Sequence, residues 1–226
     1  MNIGLLYKNT LDEEQKLFVQ TLAQQTSRML YTTDIIPADA DATEQLCDNE
    51  SIDLLFISCR NNRRDIQHYL NLCRNLRLPY IFLTDTMQIP RTIATTVSPV
   101  SMLEEEVHKA EILTHLARFT GTHILFLLAN DYGSRAEQNL NKILTALQSL
   151  NINAETLKAD KDSFAVNKEA AEKTRQLSAG MLVLTASRDY GLDDIFFGPQ
   201  ELHAIRKSHC PVLMLNPRGD LYSLCD

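Results

Sequence analysis

Short apolar runs alternate with longer stretches of three-to-four-residue periodicity along most of the chain, and residues 181–215 show the unit most plainly. Met181 to Thr185 is an apolar run behind Gly180, a polar loop follows, and Val212 to Leu215 is a second apolar run. Between them Pro199 opens a short helix whose inward stripe is Leu202, Ala204 and Ile205. Proline suits a first helical position because it has no amide hydrogen to leave unpaired. Two apolar strands joined through a helix describe a parallel crossover, and the ligand site of such a unit lies at the carboxyl end of its first strand. Here that place is the loop Ser187 to Gly198.

The same alternation runs through the rest. Ile3 to Tyr7, Leu30 to Ile36, Asp53 to Ser58 and Pro79 to Thr84 predict strands. Between them lie a helix over Asp12 to Met29 with Leu17, Phe18, Leu22 and Met29 inward, a short one over Asp41 to Asn49, and one over Arg64 to Leu76 with Ile66, Tyr69, Leu70 and Cys73 inward. Thr86 to Arg91 contains Pro90, carries no periodicity and reads as a linker. Beyond it the order restarts with a strand over Thr92 to Val97. A helix over Met102 to Thr120 follows, with Val107, Ala110, Ile112, Leu113, Leu116 and Ala117 inward and Gly121 at its end. His123 to Ala129 is a strand, Ser134 to Leu150 a helix capped by Ser134, Ile152 to Leu157 a strand, and Asn167 to Ser178 a helix.

This pattern predicts an α/β protein of two tandem Rossmann-like, doubly wound parallel sheets: residues 1–88 with four strands and residues 89–226 with five. The halves read as a diverged repeat. Leu78 to Leu83 corresponds to Cys210 to Leu215 and Ile3 to Tyr7 to Ile93 to Val97, and the first half is shorter by about one helix and one strand.

The spacing of Gly191, Gly198 and the run Cys210-Pro211-Val212 resembles the last third of a universal stress protein domain, where a strand leads to a glycine-rich loop, a helix and a terminal Cys-Pro-Val strand. The resemblance is plainest over residues 92–216. It implies an adenine nucleotide alpha hydrolase-like fold in tandem, with the first copy reduced. It also implies that the last strands of the two copies pair about a pseudo-twofold axis, joining Pro79 to Thr84 with Pro211 to Asn216 inside one chain and closing an exposed apolar edge. Family members that bind ATP have a loop G-x2-G-x9-G-[ST] after the fourth strand and an acidic residue at the end of the first. Carried onto this chain, the loop positions fall on Thr185, Arg188, Gly198 and Pro199, and the acidic position on Ser98. The degenerate nucleotide site that the resemblance implies therefore comprises Ser98, Thr185, Ser187, Arg188, Gly191 and Gly198. Pro199 withdraws an amide and a hydroxyl from the phosphate position, and Asp189, Asp193 and Asp194 repel an anion that Arg188 attracts. Each lost charge-assisted contact costs roughly 1.5 to 3 kcal/mol, so robust ATP binding is not expected.

Composition narrows the function further. With 44% hydrophobic and 23% charged residues the chain is of ordinary globular make-up, and no apolar run reaches the roughly 20 residues needed to span a bilayer, so a cytoplasmic protein is expected. A net charge of −7 opposes nonspecific nucleic-acid binding. Arg60, Arg63 and Arg64 read as a solvated helix start, although Lys8 with Arg60 and Arg63 could form an anion pocket. Cys47, Cys59, Cys73, Cys210 and Cys225 show no zinc spacing and predict reduced thiols. His108 and His115 lack ligand partners, His203 and His209 lack a nucleophile, and Ser187 lacks the G-x-S-x-G elbow, so no metal and no catalytic residue is assigned. Glu104, Glu105 and Glu106 read as a solvated first helical turn.

Together with the resemblance, these observations lead to an expectation of a universal stress protein-like regulatory or protective protein. It would have no required cofactor, ATP or AMP being the candidates if one is held, and would act on a partner protein or small effector, as an intramolecular pseudo-dimer that could pair further. The competing expectations are an adenine-nucleotide-binding stress switch and a small nucleotide hydrolase.

Overall fold

The computed structural model describes residues 2–7, 11–33, 36–186 and 200–216. Its strands are β1 Asn2–Tyr7, β2 Met29–Thr32, β3 Ile52–Cys59, β4 Tyr80–Thr84, β5 Thr95–Val100, β6 His123–Leu128, β7 Ala154–Lys158, β8 Met181–Thr185 and β9 Val212–Leu215. Its α-helices are α1 Glu13–Gln25, α2 Ala40–Asn49, α3 Arg63–Cys73, α4 Lys109–Thr120, α5 Arg135–Gln148, α6 Val166–Lys173 and α7 Gln200–Lys207. A 3₁₀ turn, Glu104–His108, leads into α4.

The α/β class is as expected, and the strands form one continuous sheet in the order β2-β1-β3-β4-β9-β8-β5-β6-β7, joined by the expected pairing of β4 with β9. Every neighbouring pair is parallel except β4 and β9, which run antiparallel with Ile81 opposite Leu213 at the centre of their register. Both of these strands are buried throughout, so either one left as an edge would expose an apolar row of unpaired amides and carbonyls. Asn216 reinforces the joint just past β9. Its Nδ2 donates to the carbonyls of Cys73 and Leu76 at 2.8 and 2.9 Å, and its Oδ1 accepts from the Tyr80 hydroxyl at 2.9 Å.

Helices cover both faces, and each face carries its own core. On one side Tyr69, Leu70, Phe82, Met214, Val166 and Ile205 belong to a cluster under α2, α3, α6 and α7. On the other Phe18, Leu22, Ile81, Leu213, Leu113 and Ile143 belong to a cluster under α1, α4 and α5. Both clusters cross the β4–β9 joint, so burial as well as backbone pairing ties the two parts together.

The helix starts follow from capping. Asp12, Asp39 and Asn62 accept the amides of Gln15, Ala42 and Asp65, each three residues on. Gly121, at φ +69°, ends α4 in the left-handed region. Ser134 stands at the cap position of α5, but its hydroxyl accepts no helix amide; it accepts instead from Gln138 Nε2 at 2.9 Å.

Three expectations need correction. α1 stops at Gln25, four residues short of Met29, which is 74% exposed, and within the helix Leu17 falls on the outward face at 56% while Phe18 and Leu22 are buried. The strand expected over Thr92 to Val97 lies three residues later and runs through Pro99. The β5–β8 ladder reaches only to Val97, so the missing amide of Pro99 costs no bond on that side. The helix expected from Met102 opens as the 3₁₀ turn, and Val107, Ala110, Ile112 and Ala117 are only partly buried. Glu106 and Lys109 take the buried places.

Candidate functional site: the strand-end crevices

β5 sends its connection to one face of the sheet through α4, and β8 sends its own to the other face through α7. The carboxyl ends of these adjacent strands therefore diverge into a topological switch point, where open α/β sheets bind ligands. In this chain side chains of its own fill that place. Glu106 Oε1 accepts from the Ser101 hydroxyl at 2.7 Å, and Glu106 Oε2 forms an ion pair with Lys109 and lies 3.5 Å from the Thr185 hydroxyl. Lys109 Nζ donates in turn to the carbonyl of Pro99 at 2.6 Å. Neither Glu106 nor Lys109 has any exposed surface, and Ser101 and Thr185 are buried. Burial pulls the Lys109 ammonium below its usual range, against the opposing pull of Glu106.

The first part of the chain repeats the device with an uncharged plug. The antiparallel joint sets Tyr80 and Val212 at equivalent positions about Ile81 and Leu213. Leu55 pairs with Tyr80 as Leu182 pairs with Val212, so Ser58 on β3 matches Thr185 on β8. The Ser58 hydroxyl donates to Gln15 Oε1 at 2.8 Å, and Gln15, in the first turn of α1, is 4% exposed. Each crevice is thus stopped by a polar side chain from the helical turn that follows its first strand.

Register also relocates the acidic position. Gly4 pairs with Leu55 and Val97 with Leu182, which makes Gly4 equivalent to Val97 and Ile3 to Thr96, three residues beyond the correspondence expected. Ser98 is consequently a fully buried mid-strand residue opposite Phe126, its hydroxyl without a hydrogen-bond partner among the described residues. The residue at the strand end is Ser101. Of the expected site residues, the structure brings Thr185 to the crevice and leaves Ser98 inside the sheet. Ser187, Arg188, Gly191 and Gly198 lie outside the described residues, as do Pro199, Lys8 and Cys225.

Glu106 is the plainest overturned expectation, since it is wholly buried where a solvated turn was predicted. The signal was in the spacing: Glu106, Lys109, Leu113 and Leu116 fall three, four and three apart on one helical face. Of the other candidates, Arg60, Arg63 and Arg64 are exposed around the start of α3. His203 Nε2 lies 3.1 Å from Glu172 Oε1, with no serine or cysteine in that contact. No group of three or more metal-ligating side chains forms among the described residues, and none of their helices is long and apolar enough to cross a membrane.

No protein-family model matches the chain, and no curated protein does. Solved structures do. A universal stress protein from Archaeoglobus fulgidus DSM 4304 superimposes with a TM-score of 0.67 at 12% identity, covering 97% of both chains. A candidate universal stress protein from Pseudomonas aeruginosa UCBPP-PA14 gives 0.58 at 14% identity over 97% of this chain and 84% of its own. A protein of unknown function from Pseudomonas aeruginosa PAO1 gives 0.56 at 13% identity over 97% and 83%. The fold is therefore that of the universal stress proteins over nearly the whole chain.

Proposed function

We propose that this chain is a universal stress protein-like regulatory or protective protein that works through a partner protein or small effector and does not hold ATP firmly. The observation that carries the proposal is the crevice closed by Glu106. A phosphate brought there would meet a buried carboxylate in surroundings of low dielectric, and displacing that carboxylate would strand Lys109. Gln15 blocks the matching place in the first part of the chain.

The tandem reading, with residues 1–88 as the reduced copy and residues 89–226 as the complete one, is supported by strand order. Read outward from the joint, the later part runs β9-β8-β5-β6-β7 and the earlier part β4-β3-β1-β2, the same succession without its outermost strand. Catalysis is not part of the proposal. Ser101, Glu106 and Lys109 hydrogen-bond in series, but all three are shielded from any substrate.

Thermal-shift titration with ATP and AMP, with and without magnesium, tests this reading. A ligand at 100 times its dissociation constant stabilises a fold by about 2.7 kcal/mol, so millimolar nucleotide should leave the melting temperature unmoved if the crevices are closed. A shift abolished by Arg188→Ala would favour the nucleotide switch, and product formation would favour the hydrolase.

A further inference from the structure

A second cavity, lined by none of the side chains that stop the crevices, lies on the face of the sheet carried by α1 and α4. This cleft of about 360 Å³ crosses the β4–β9 joint, with Leu54, Ile81, Leu213 and Leu215 as its floor. Ile112, Leu116 and Phe119 of α4 form one wall, and Leu22 of α1 stands on the other side. The 12-residue α4 borders it for about 18 Å, so the cleft is long as well as apolar. Its volume falls in the range of small-molecule sites, in which an apolar lining carries the affinity and a few polar groups set orientation.

The polar groups gather at one end. Tyr80 pairs with Met214 in an antiparallel ladder, which brings the start of β4 level with the end of β9 and with the beginning of α4. Arg28, Asp53, Arg77 and His108 line the cleft there. Arg28 is engaged, its Nε donating to Asp53 Oδ2 at 2.6 Å. Arg77 is held from one side only: its Nε forms an ion pair with Glu44 Oε1 at 3.6 Å, while its terminal nitrogens make no hydrogen bond among the described residues and its side chain is 60% exposed. A guanidinium paired only through Nε keeps its two terminal nitrogens for the two oxygens of a carboxylate at the mouth of an apolar cleft. Glu111, further along the same wall, and Asp53 oppose a second negative charge.

We propose that this cleft binds an amphipathic monocarboxylate, with its alkyl or aryl body along α4 over Ile81 and Leu213 and its head group on Arg77. The site is separate from the strand-end crevices and does not depend on whether those hold nucleotide.

Isothermal titration calorimetry of the full chain with sodium dodecanoate, kept below its micellar concentration, tests the proposal. Dodecyltrimethylammonium serves as the control with the same tail and the opposite charge. Saturable one-to-one binding of dodecanoate is expected, at least tenfold weaker in Arg77→Glu, lost in Ile112→Trp, and without a saturable counterpart for the cation. Arg77 is exposed and Ile112 only partly buried, so melting temperatures should stay close to that of the parent. If Ile112→Trp unfolds, Arg77→Glu carries the test alone. Equal binding of the two amphiphiles, or a dodecanoate isotherm unchanged by Arg77→Glu, overturns the proposal. Absence of saturable dodecanoate binding to the full chain overturns it as well.

Discussion

Glu106 and Lys109 form an ion pair across three residues with neither side chain exposed to solvent. Removing one partner leaves the other charge buried and uncompensated, so Lys109→Met should cost about 3–5 kcal/mol. The double change Glu106→Gln with Lys109→Met removes both charges and should cost less than Lys109→Met alone. Urea denaturation of the single and double variants gives the coupling directly, and simple additivity would refute it.

Asn216 supports the β4–β9 joint from outside the ladder. Asn216→Ala would strip the carbonyls of Cys73 and Leu76 and the hydroxyl of Tyr80 of their shared partner. A loss of roughly 1–3 kcal/mol is expected from the buried hydrogen bonds removed. Asn216→Asp keeps the acceptor but not the donors, and should be no better. Equilibrium denaturation of both variants checks this.

Glu169 gives the fold one part of its acid sensitivity. Burial alone would raise its carboxyl, but Lys173 Nζ at 2.6 Å and the amides of Asp160 and Lys161 at 3.0 and 2.8 Å outweigh burial and hold it below its ordinary value of 4.5. A carboxyl lowered in the folded state contributes stability that is complete above its unfolded value and disappears as pH falls through its folded value. The stability difference between the parent and Glu169→Gln should therefore be largest near neutrality and shrink below pH 4.5. Thermal melts across that range measure it. A difference independent of pH would contradict it.

The buried thiols should be unreactive. Burial pushes Cys47, Cys59 and Cys210 each up to about 12 and Cys73 well above its usual value, so almost no thiolate forms at pH 8. In a Cys225→Ser chain, Ellman's reagent should find no fast-reacting thiol until denaturant is added. Rapid labelling of the native variant would count against this packing.

Much of the fold was legible because apolar runs such as residues 181–185 and 212–215 are strands buried on both faces, and continuous runs report that burial directly. β5 runs through Pro99, a residue that local propensity disfavours in a strand, and only the three-dimensional ladder reveals that its amide is not needed toward β8. The site was less legible for a different reason. Glu106, Lys109 and Gln15 are polar, and composition assigns polar residues to the surface, whereas the structure satisfies them inside with Ser101, Thr185, Ser58 and the carbonyl of Pro99. Such partners lie up to 79 residues apart, beyond the reach of any local pattern.

The antiparallel seam between β4 and β9 joins segments of one polypeptide. Its closure is unimolecular, so dilution that would separate two freely associating subunits leaves it intact, and no exchange of halves between molecules is needed to assemble it. Neither side of the seam has to match a second copy of itself, which leaves the two flanks free to diverge. One flank carries a charged stopper, Glu106 with Lys109, and the other a neutral one, Gln15, so a substitution that unbalances charge has a place to act on one flank and none on the other.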